Sequence, residues 1–302
     1  MTPLSNEILE NYQIRKSNKQ KLAFIKLLQK QFPQLVIEES GFPKCRNLII
    51  GDLEHAKIVL SAHYDTCARA PFPNFVMPKS PLLSILYGFV MGLPGLLAAF
   101  LIILLHPLEM GFWANYFLAL GIYMLYTLLL ILGPANKHTA NDNTSGVIVL
   151  CELLETLNNK QKSDLAFVFF DHEESGLIGS AQFRAKHKKT MKDKLLINFD
   201  CVSDGDHILV AASKDARNRY GGLLKGSFLP TSRFSVHFSN LERIYYPSDQ
   251  AGFKTAVAIA ALKRKKLLGY YMDRIHTPKD TVFEKENITY LCNSILQLTK
   301  SL

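Results

Sequence analysis

This sequence has no closely spaced pair of cysteines. Its five cysteines are odd in number, lie far apart and include no Cys-x-x-Cys; they are Cys45, Cys67, Cys151, Cys201 and Cys292. This pattern argues against a disulfide framework and against a thiolate zinc site, and it favours reduced, buried thiols in a cytosolic domain. The first 30 residues also lack the apolar core of a secretory signal.

A basic stripe interleaved with aromatic residues is missing as well. The net charge is +9, but Lys and Arg are scattered, apart from one run at residues 263–266. Scattered cations do not predict a nucleic-acid partner. We interpret the run as a solvated loop, with a contact to lipid headgroups as the alternative.

Acidic and basic residues are absent from residues 80–108. Two stretches, 82–105 and 112–133, are almost wholly apolar, and each reaches the roughly 20 residues needed to cross a bilayer. A short break at residues 106–111, which contains Glu109, separates them. We therefore expect an inserted helical hairpin that contacts the lipid bilayer through these two stretches.

The two apolar helices are expected to pack against each other. Gly88 and Gly92 are four positions apart, a spacing that lets helix backbones approach closely in a membrane. The alternative is a very apolar helix pair buried inside a globular domain, which would need an unusual amount of protein to cover it.

Outside the hairpin, short apolar runs alternate with helical patterns. An amphipathic helical region covers residues 5–32, and further helices are predicted at 145–157 and 288–302. Predicted strands lie at residues 35–38, 48–50, 58–62, 165–170, 195–199, 208–211 and 257–261. This alternation predicts an α/β fold with a mixed, largely parallel sheet flanked by helices.

Several of these strands end in polar clusters. His63 and Asp65 follow the strand at 58–62, and Asp200 follows the strand at 195–199. Each cluster alone is weak evidence, because a histidine after a strand is more often a hydrogen-bonded structural residue. An acidic pair such as Glu173-Glu174, after the strand at 165–170, often only begins a helix. Together they predict a metal site, because imidazole and carboxylate are the usual ligands of hydrolytic zinc and sites form beyond the carboxyl ends of strands.

The clusters belong to six motifs that occur in the order found in the M28 family of metallopeptidases, which this chain resembles. The motifs are SAHYDT at 61–66, NDNTSG at 141–146, EESGLIGS at 173–180, NFD at 198–200, SDQAGF at 248–253 and HTPKDT at 276–281. The resemblance implies a zinc-exopeptidase-like phosphorylase/hydrolase fold. It divides the chain into the N-terminal helix and first part of the peptidase domain (1–79), the hairpin insert (80–136) and the remainder of the peptidase domain (137–302).

The resemblance also implies two divalent metal ions, zinc by analogy. Their five ligands would be His63, Asp142, Glu174, Asp200 and His276. Asp142 would bridge the ions, with His63 and Asp200 completing one site and Glu174 and His276 the other. A shared carboxylate suits two cations, because it offsets their mutual repulsion.

Further roles come from the same resemblance. Glu173 would be the general base and acid, and Asp65 would support the site beside His63. A cis peptide is implied between Asp142 and Asn143. From the residues alone, Tyr245 or Tyr246 is a candidate donor to a developing oxyanion, because both directly precede the 248–253 motif.

The sequence departs from the family's pattern in three places. His63 and Asp142 are 79 positions apart, and the apolar hairpin fills the gap. A hairpin returns to its starting point, so both ligands can still meet. Gln250 stands where many relatives have another residue, and Cys201 stands where methionine is common, for which ordinary packing is the simplest reason.

These features lead to one hypothesis and two alternatives. We expect a membrane-anchored zinc aminopeptidase that acts on peptides. The alternatives are another amide hydrolase or a glutaminyl-cyclase-like enzyme on the same scaffold, and a catalytically inactive, receptor-like binding protein. Cyclases need a single zinc, so the presence of both His63 and Asp200 favours the peptidase. Lys79 and Lys137 flank the hairpin, which places the catalytic domain on the cytoplasmic side.

Overall fold

The computed structural model describes residues 1–41, 44–105 and 111–301. Nine strands and nine α-helices lie among these residues. The strands are β1 (Val36–Ser40), β2 (Cys45–Ile50), β3 (Ile58–His63), β4 (Leu165–Phe170), β5 (Leu195–Phe199), β6 (His207–Ala212), β7 (Ser235–Asn240), β8 (Ala256–Lys265) and β9 (Gly269–Tyr271). The helices are α1 (Pro3–Asn11), α2 (Asn18–Gln31), α3 (Pro81–Leu105), α4 (Phe112–Leu132), α5 (Gly146–Thr156), α6 (Asn159–Lys162), α7 (Ile178–Lys186), α8 (Lys214–Ser227) and α9 (Lys285–Lys300).

The strands form one mixed sheet in the order β1-β2-β4-β3-β5-β8-β6-β7, with β9 paired to β8. The centre, β4-β3-β5-β8, is parallel, whereas β1, β2 and β6 run antiparallel to a neighbour. Every residue of β3, β4 and β5 is buried, as expected for parallel strands covered on both faces. The carboxyl ends of these three strands therefore open at one edge of the sheet, and the predicted helix-flanked mixed sheet is confirmed.

Helices cover both faces of the sheet. On one face α5 packs against β3, and α1 and α9 pack against α5. On the other face Phe183 of α7 stacks edge-on against Phe170, with ring centroids 5.4 Å apart, and also contacts Phe253. These apolar layers hold the loops after β3, β4 and β5 on a rigid base.

Three of the differences from the sequence expectation have a physical explanation. The helical region at 5–32 is two helices, because Ser17 begins α2 with a capping box to Gln20. Strand β7 was not predicted, since it is a half-exposed edge strand without an apolar run. The solvated-loop interpretation of residues 263–266 is wrong for 263–265, which end β8 and pair with β9.

Helices α3 and α4 contact each other and are otherwise exposed. Phe89 of α3 is 71% exposed and Phe112 of α4 is 75% exposed, so the alternative of a pair buried in a globular domain is wrong. Both helices are long and apolar enough to cross a membrane. The predicted break with Glu109 lies at residues 106–110, outside the described residues, apart from its last residue, Gly111.

The close approach of α3 and α4 occurs at Gly92, one of the two glycines that the sequence indicated, and at Gly95, but not at Gly88. A Cβ on Gly88 would meet nothing within 4 Å, whereas one on Gly92 would lie 3.2 Å from the Tyr123 hydroxyl. At Gly95 the Cβ would lie 2.5 Å from the Tyr126 ring, too close for any larger residue. The contact is therefore made by tyrosines of α4 against small residues one and two turns further along α3.

The base of the hairpin is closed by backbone pairing. Ala68 forms an antiparallel bridge with Ala135, and the Asn136 amide donates to the Cys67 carbonyl at 3.1 Å. The chain thus leaves and re-enters the globular domain at adjacent points. This closure explains how the loop after β3 and the segment before α5 can meet despite the long insertion between them.

Candidate metal centre

The first part of the site is the loop after β3. His63 is buried, and its Nδ1 lies 3.1 Å from the Asp65 backbone carbonyl. This contact leaves Nε2 facing Asp142 Oδ1 at 3.4 Å and Asp200 Oδ1 at 3.5 Å. The imidazole therefore points at two carboxylates that come from different loops.

Asp65 joins this loop to the acidic pair after β4. Its Oδ1 accepts the Glu173 amide at 3.0 Å, and its Oδ2 accepts the Glu174 amide at 3.2 Å. One buried carboxylate thus fixes the backbone of both glutamates. The geometry gives Asp65 a positioning contact with the acidic pair in addition to its place beside His63.

Asp142 lies in a kinked turn at Ala140–Ser145, where Asp142 and Asn143 have non-helical backbone angles, and the Asp142–Asn143 peptide is cis, as the resemblance implied. The amides of Asn141 and Asp142 both donate to the Asp280 carboxylate at 3.0 Å. Asn143 ties the turn to β5, since its Nδ2 donates to the Phe199 carbonyl at 2.9 Å. These bonds hold the Asp142 carboxylate between the ends of β3 and β5.

His276 completes the cluster from the loop before α9. Its Nε2 lies 3.0 Å from Asp142 Oδ2 and 3.2 Å from Glu174 Oε2. Asp142 therefore faces His63 with one oxygen and His276 with the other. The structure brings all five candidate ligands together, with Glu173 beside His63 and Asp200.

The donor set fits divalent cations. Ligand atoms of His63, Asp142 and Glu174 lie within 4.8 Å of one another, as do those of His63, Glu173 and Asp200. Glu174 Oε1 is buried and has no hydrogen-bond partner among the described residues. A buried, unpartnered carboxylate oxygen is costly unless a cation or proton compensates it.

The shifted pKa values of the acidic groups indicate the same imbalance. Burial raises the pKa of Glu174 to about 8, and Asp142 adds to the rise while His276 opposes it. Burial also raises the pKa of Glu173 well above its ordinary range, with Glu174 and Asp200 adding to it and His63 opposing it. Excess negative charge of this kind, in a protein without metal, is what a bound cation would relieve.

The two tyrosine candidates lie in different environments. Tyr246 is buried, and its hydroxyl donates to the Asp200 backbone carbonyl at 2.9 Å, which uses its only proton. Tyr245 is 45% exposed. Tyr246 thus fixes the loop that carries Asp200, and a role of Tyr245 or Tyr246 as oxyanion donor stays a prediction.

Two other departures from the family's pattern are structural. Gln250 accepts from Asn198 Nδ2 at 3.0 Å and donates to the Tyr246 carbonyl at 2.7 Å. It therefore connects β5, which carries Asn198, to the segment that carries Tyr246. Cys201 donates its thiol proton to Asp200 Oδ1 at 3.2 Å, a more specific contact than the ordinary packing expected from sequence.

Sequence reasoning assigned no role to three residues that the structure places at the site. Asp280 fixes the turn of Asp142, and burial raises its pKa to about 7. Asp249 is fully buried, and neither carboxylate oxygen has a hydrogen-bond partner in the described part of the chain. Asp249 and Asp280 lie inside the motifs at 248–253 and 276–281, and this was the sequence signal that could have indicated them.

Arg15 is also buried beside the site, although it lies in none of the motifs. It donates from Nε to the Tyr64 carbonyl at 2.5 Å and from Nη1 to Thr144 Oγ1 at 3.1 Å.

A cavity of about 460 Å³ adjoins the cluster. Its lining includes Asp65 and Glu174 of the cluster, and also Lys16 and Leu132. Lys16 Nζ also donates to the Ile131 carbonyl near the end of α4 at 2.6 Å. The approach to the candidate centre therefore runs past the end of the second apolar helix.

Solved structures similar to this chain share its fold. The LapA aminopeptidase of Legionella pneumophila matches with a TM-score of 0.58 at 13% identity, over 99% of this chain and 68% of that one. The glutaminyl cyclase of Porphyromonas gingivalis matches with a TM-score of 0.56 at 14% identity, over 99% and 96%. That of Macrostomum lignano gives 0.56 at 12% identity, over 99% and 88%.

The family comparison is more specific. No curated protein matches the chain. The model of peptidase family M28 matches residues 126–294, which is more than half of the chain and runs from within α4 into α9. With the mixed sheet and the clustered acidic and histidine residues at its edge, this match shows that the chain belongs to peptidase family M28.

Proposed function

We propose that this protein is a membrane-anchored dinuclear zinc aminopeptidase that removes N-terminal residues from peptides. One observation carries the proposal: Asp142 faces His63 with one carboxylate oxygen and His276 with the other, at 3.4 and 3.0 Å. A carboxylate shared by two histidines on opposite sides is the arrangement that a bridging ligand between two cations needs. Glu173 beside this cluster supplies the proton-transfer group.

The residues divide the chemistry between them. His63, Asp142 and Asp200 would hold one ion, and Asp142, Glu174 and His276 the other. When bound, two divalent cations polarise the scissile carbonyl and lower the pKa of the attacking water. Glu173 takes a proton from that water and gives it to the leaving amine, for which its partly exposed position beside the ligands is suited. Asp65 keeps the backbone of Glu173 in place.

The surplus of carboxylates also explains why the N-terminus of a peptide would bind here. An α-ammonium group can make charge-assisted hydrogen bonds to Asp and Glu beside the metals. That contact places the first peptide bond at the reacting centre. Removal of single residues from the N-terminus is then the expected outcome.

This substrate assignment gives a direct test. Acetylation of a peptide's N-terminus removes the cation, and a charge-assisted hydrogen bond contributes roughly 1.5–3 kcal/mol. We expect kcat/KM for the first peptide bond to fall by about 10- to 150-fold. The measurement is a mass-spectrometric digest of matched peptides with free and acetylated N-termini, with C-terminal amidation as the control modification.

Three other results of that digest would contradict the assignment. Equal cleavage of acetylated peptides, or internal cleavage first, would indicate a different amide hydrolase. Ring closure of N-terminal glutamine with loss of ammonia, without cleavage, would indicate a cyclase. Binding of peptides without any conversion by metal-loaded protein would indicate the receptor-like alternative.

We further propose that α3 and α4 span a membrane, with the catalytic domain on the cytoplasmic side. Both helices expose apolar side chains along their length, which is unfavourable in water. The nearest flanking cations, Lys79 and Lys137, lie at the closed base of the hairpin, next to the globular domain. Positive flanks mark the cytoplasmic side.

Protease accessibility checks this orientation. Protease added to intact cells or spheroplasts is expected to leave the Lys-rich globular domain uncut, and cleavage should occur only after the membrane is permeabilised. A tag fused to the C-terminus gives the readout. Digestion of the domain from outside would reverse the orientation, and recovery of the protein in the soluble fraction would contradict membrane insertion.

A further inference from the structure

A cysteine outside the expected ligand set lies against the candidate centre. Cys67 is four positions after His63, and its side chain is buried, with 2% of the residue exposed. Its Sγ, a carboxylate oxygen of Glu174 and a ring nitrogen of His276 all lie within 4.8 Å of one another. Thiolate, carboxylate and imidazole are all zinc ligands.

The backbone holds Cys67 in this position. Its carbonyl accepts the Asn136 amide, and the next residue, Ala68, pairs with Ala135 at the base of the hairpin. The Ala70 amide donates to the His276 carbonyl at 2.7 Å. The segment that carries the thiol is therefore bonded to the hairpin on one side and to a candidate ligand on the other.

A second observation indicates a ligand at this point. The Glu174 side chain is only 9% exposed, and its Oε1 has no hydrogen-bond partner among the described residues. His276 Nε2 lies close to both Glu174 and Asp142. The thiol thus adjoins Glu174 and His276, His276 in turn contacts Asp142, and one buried oxygen of Glu174 lacks a partner.

We propose that the thiolate of Cys67 is a fourth protein ligand of the ion held by Asp142, Glu174 and His276. In this step the sulfur–hydrogen bond breaks, the proton leaves to solvent and the sulfur electron pair forms the bond to the cation. The inference rests on the dinuclear centre proposed above and adds a ligand to it.

The added ligand makes the two metal positions unequal. Four protein ligands close a tetrahedral zinc site, whereas catalytic zinc keeps an open position. The position at Cys67 would then be closed, so that in the proposed reaction the other ion would activate the attacking water. The open position belongs to the ion of His63, Asp142 and Asp200, where Glu173 lies within 4.8 Å of His63 and Asp200 ligand atoms.

The chain offers a matched control. Cys201 is also buried and lies within 4.8 Å of Asp142 and Asp200. Its thiol, however, donates a hydrogen bond to Asp200 Oδ1 at 3.2 Å, so it is engaged as a protonated donor. Replacing each cysteine by serine removes one sulfur near the centre and leaves the other.

Cobalt substitution tests the proposal in the full-length protein in detergent. Metal-free protein loaded with two equivalents of Co²⁺ is expected to show an intense sulfur-to-cobalt charge-transfer band in the near ultraviolet. The band should disappear in Cys67→Ser and persist in Cys201→Ser. Absence of the band in the wild type, or its persistence in Cys67→Ser, would overturn the proposal.

X-ray absorption of the zinc-loaded wild type needs no variant and so does not depend on how Cys67→Ser folds. It should show a sulfur neighbour at about 2.3 Å. A coordination shell of oxygen and nitrogen alone would overturn the proposal. Peptide cleavage is scored separately in the same preparations. Sulfur ligation without cleavage contradicts the aminopeptidase function, whereas cleavage without sulfur ligation contradicts only the role of Cys67.

Discussion

Replacing Glu173 with glutamine is expected to lower the turnover number by at least about a hundredfold while leaving the metal content unchanged. The amide has nearly the same shape as the carboxylate but cannot take a proton from water. Glu173 is held through its backbone amide by Asp65, so the side-chain change leaves that contact intact. The loss should therefore appear in kcat more than in KM.

The adjacent residue provides the matched comparison. Glu174 Oε2 faces His276 at 3.2 Å, which is a ligand position in our assignment. Glu174→Gln should lose metal as well as activity. Metal analysis of both purified variants, beside steady-state kinetics on one free-amine peptide, separates the two roles. Loss of metal from Glu173→Gln with retention in Glu174→Gln would show that the roles are reversed.

The sequence was informative where a residue's role follows from its place after a buried strand. The apolar run of β3 predicts that His63 lies at the edge of the sheet, and the run of β4 does the same for Glu173 and Glu174. Carboxyl ends of parallel strands share an edge, so these groups had to lie near one another. The closed base of the hairpin at Ala68 and Ala135 preserves this arrangement across the insertion.

Contacts made by long-range packing were not predictable in this way. The pairing of Asp280 with the amides of Asn141 and Asp142 joins residues 139 and 138 positions apart. The place of Cys67 beside Glu174 and His276 was not predictable either, because cysteine spacing was the only sequence signal and its neighbours come from distant loops. The break between α1 and α2 near Ser17 could not be predicted, because the amphipathic pattern continues through it. Arg15 is buried there, although a cation in such a pattern usually indicates an exposed position.

Replacing Asp142 with alanine is expected to abolish metal binding at both positions and to remove all peptidase activity. This carboxylate faces both histidines, so its loss takes a ligand from each ion and leaves their repulsion without a bridge. Saturating zinc at about 1,000 times its dissociation constant stabilises the folded protein by roughly 4 kcal/mol, a gain the variant should lack. Asp206→Asn, at an exposed carboxylate, is the control.

The dependence of this stabilisation on pH sharpens the test. In metal-free protein, burial raises the pKa of Glu174 to about 8. Burial acts in the opposite direction at His276, but the carboxylates of Glu174 and Asp142 outweigh it and raise the pKa of His276 to about 10. The folded state then binds more protons than the unfolded state above about pH 4, so its free energy of unfolding falls as pH rises toward these values. Metal needs deprotonated ligands, so its stabilising effect grows over the same range.

The difference in melting temperature between zinc-loaded and metal-free protein should therefore widen from about pH 5.5 to about pH 8.5. The pKa of Asp142 is lowered, chiefly by His276 and His63 acting against burial, so its own contribution changes only in more acidic solution. Thermal melts of wild type, Asp142→Ala and Asp206→Asn across this range measure the effect. A metal-dependent shift in Asp142→Ala equal to that of the wild type would show that this carboxylate does not bridge the ions.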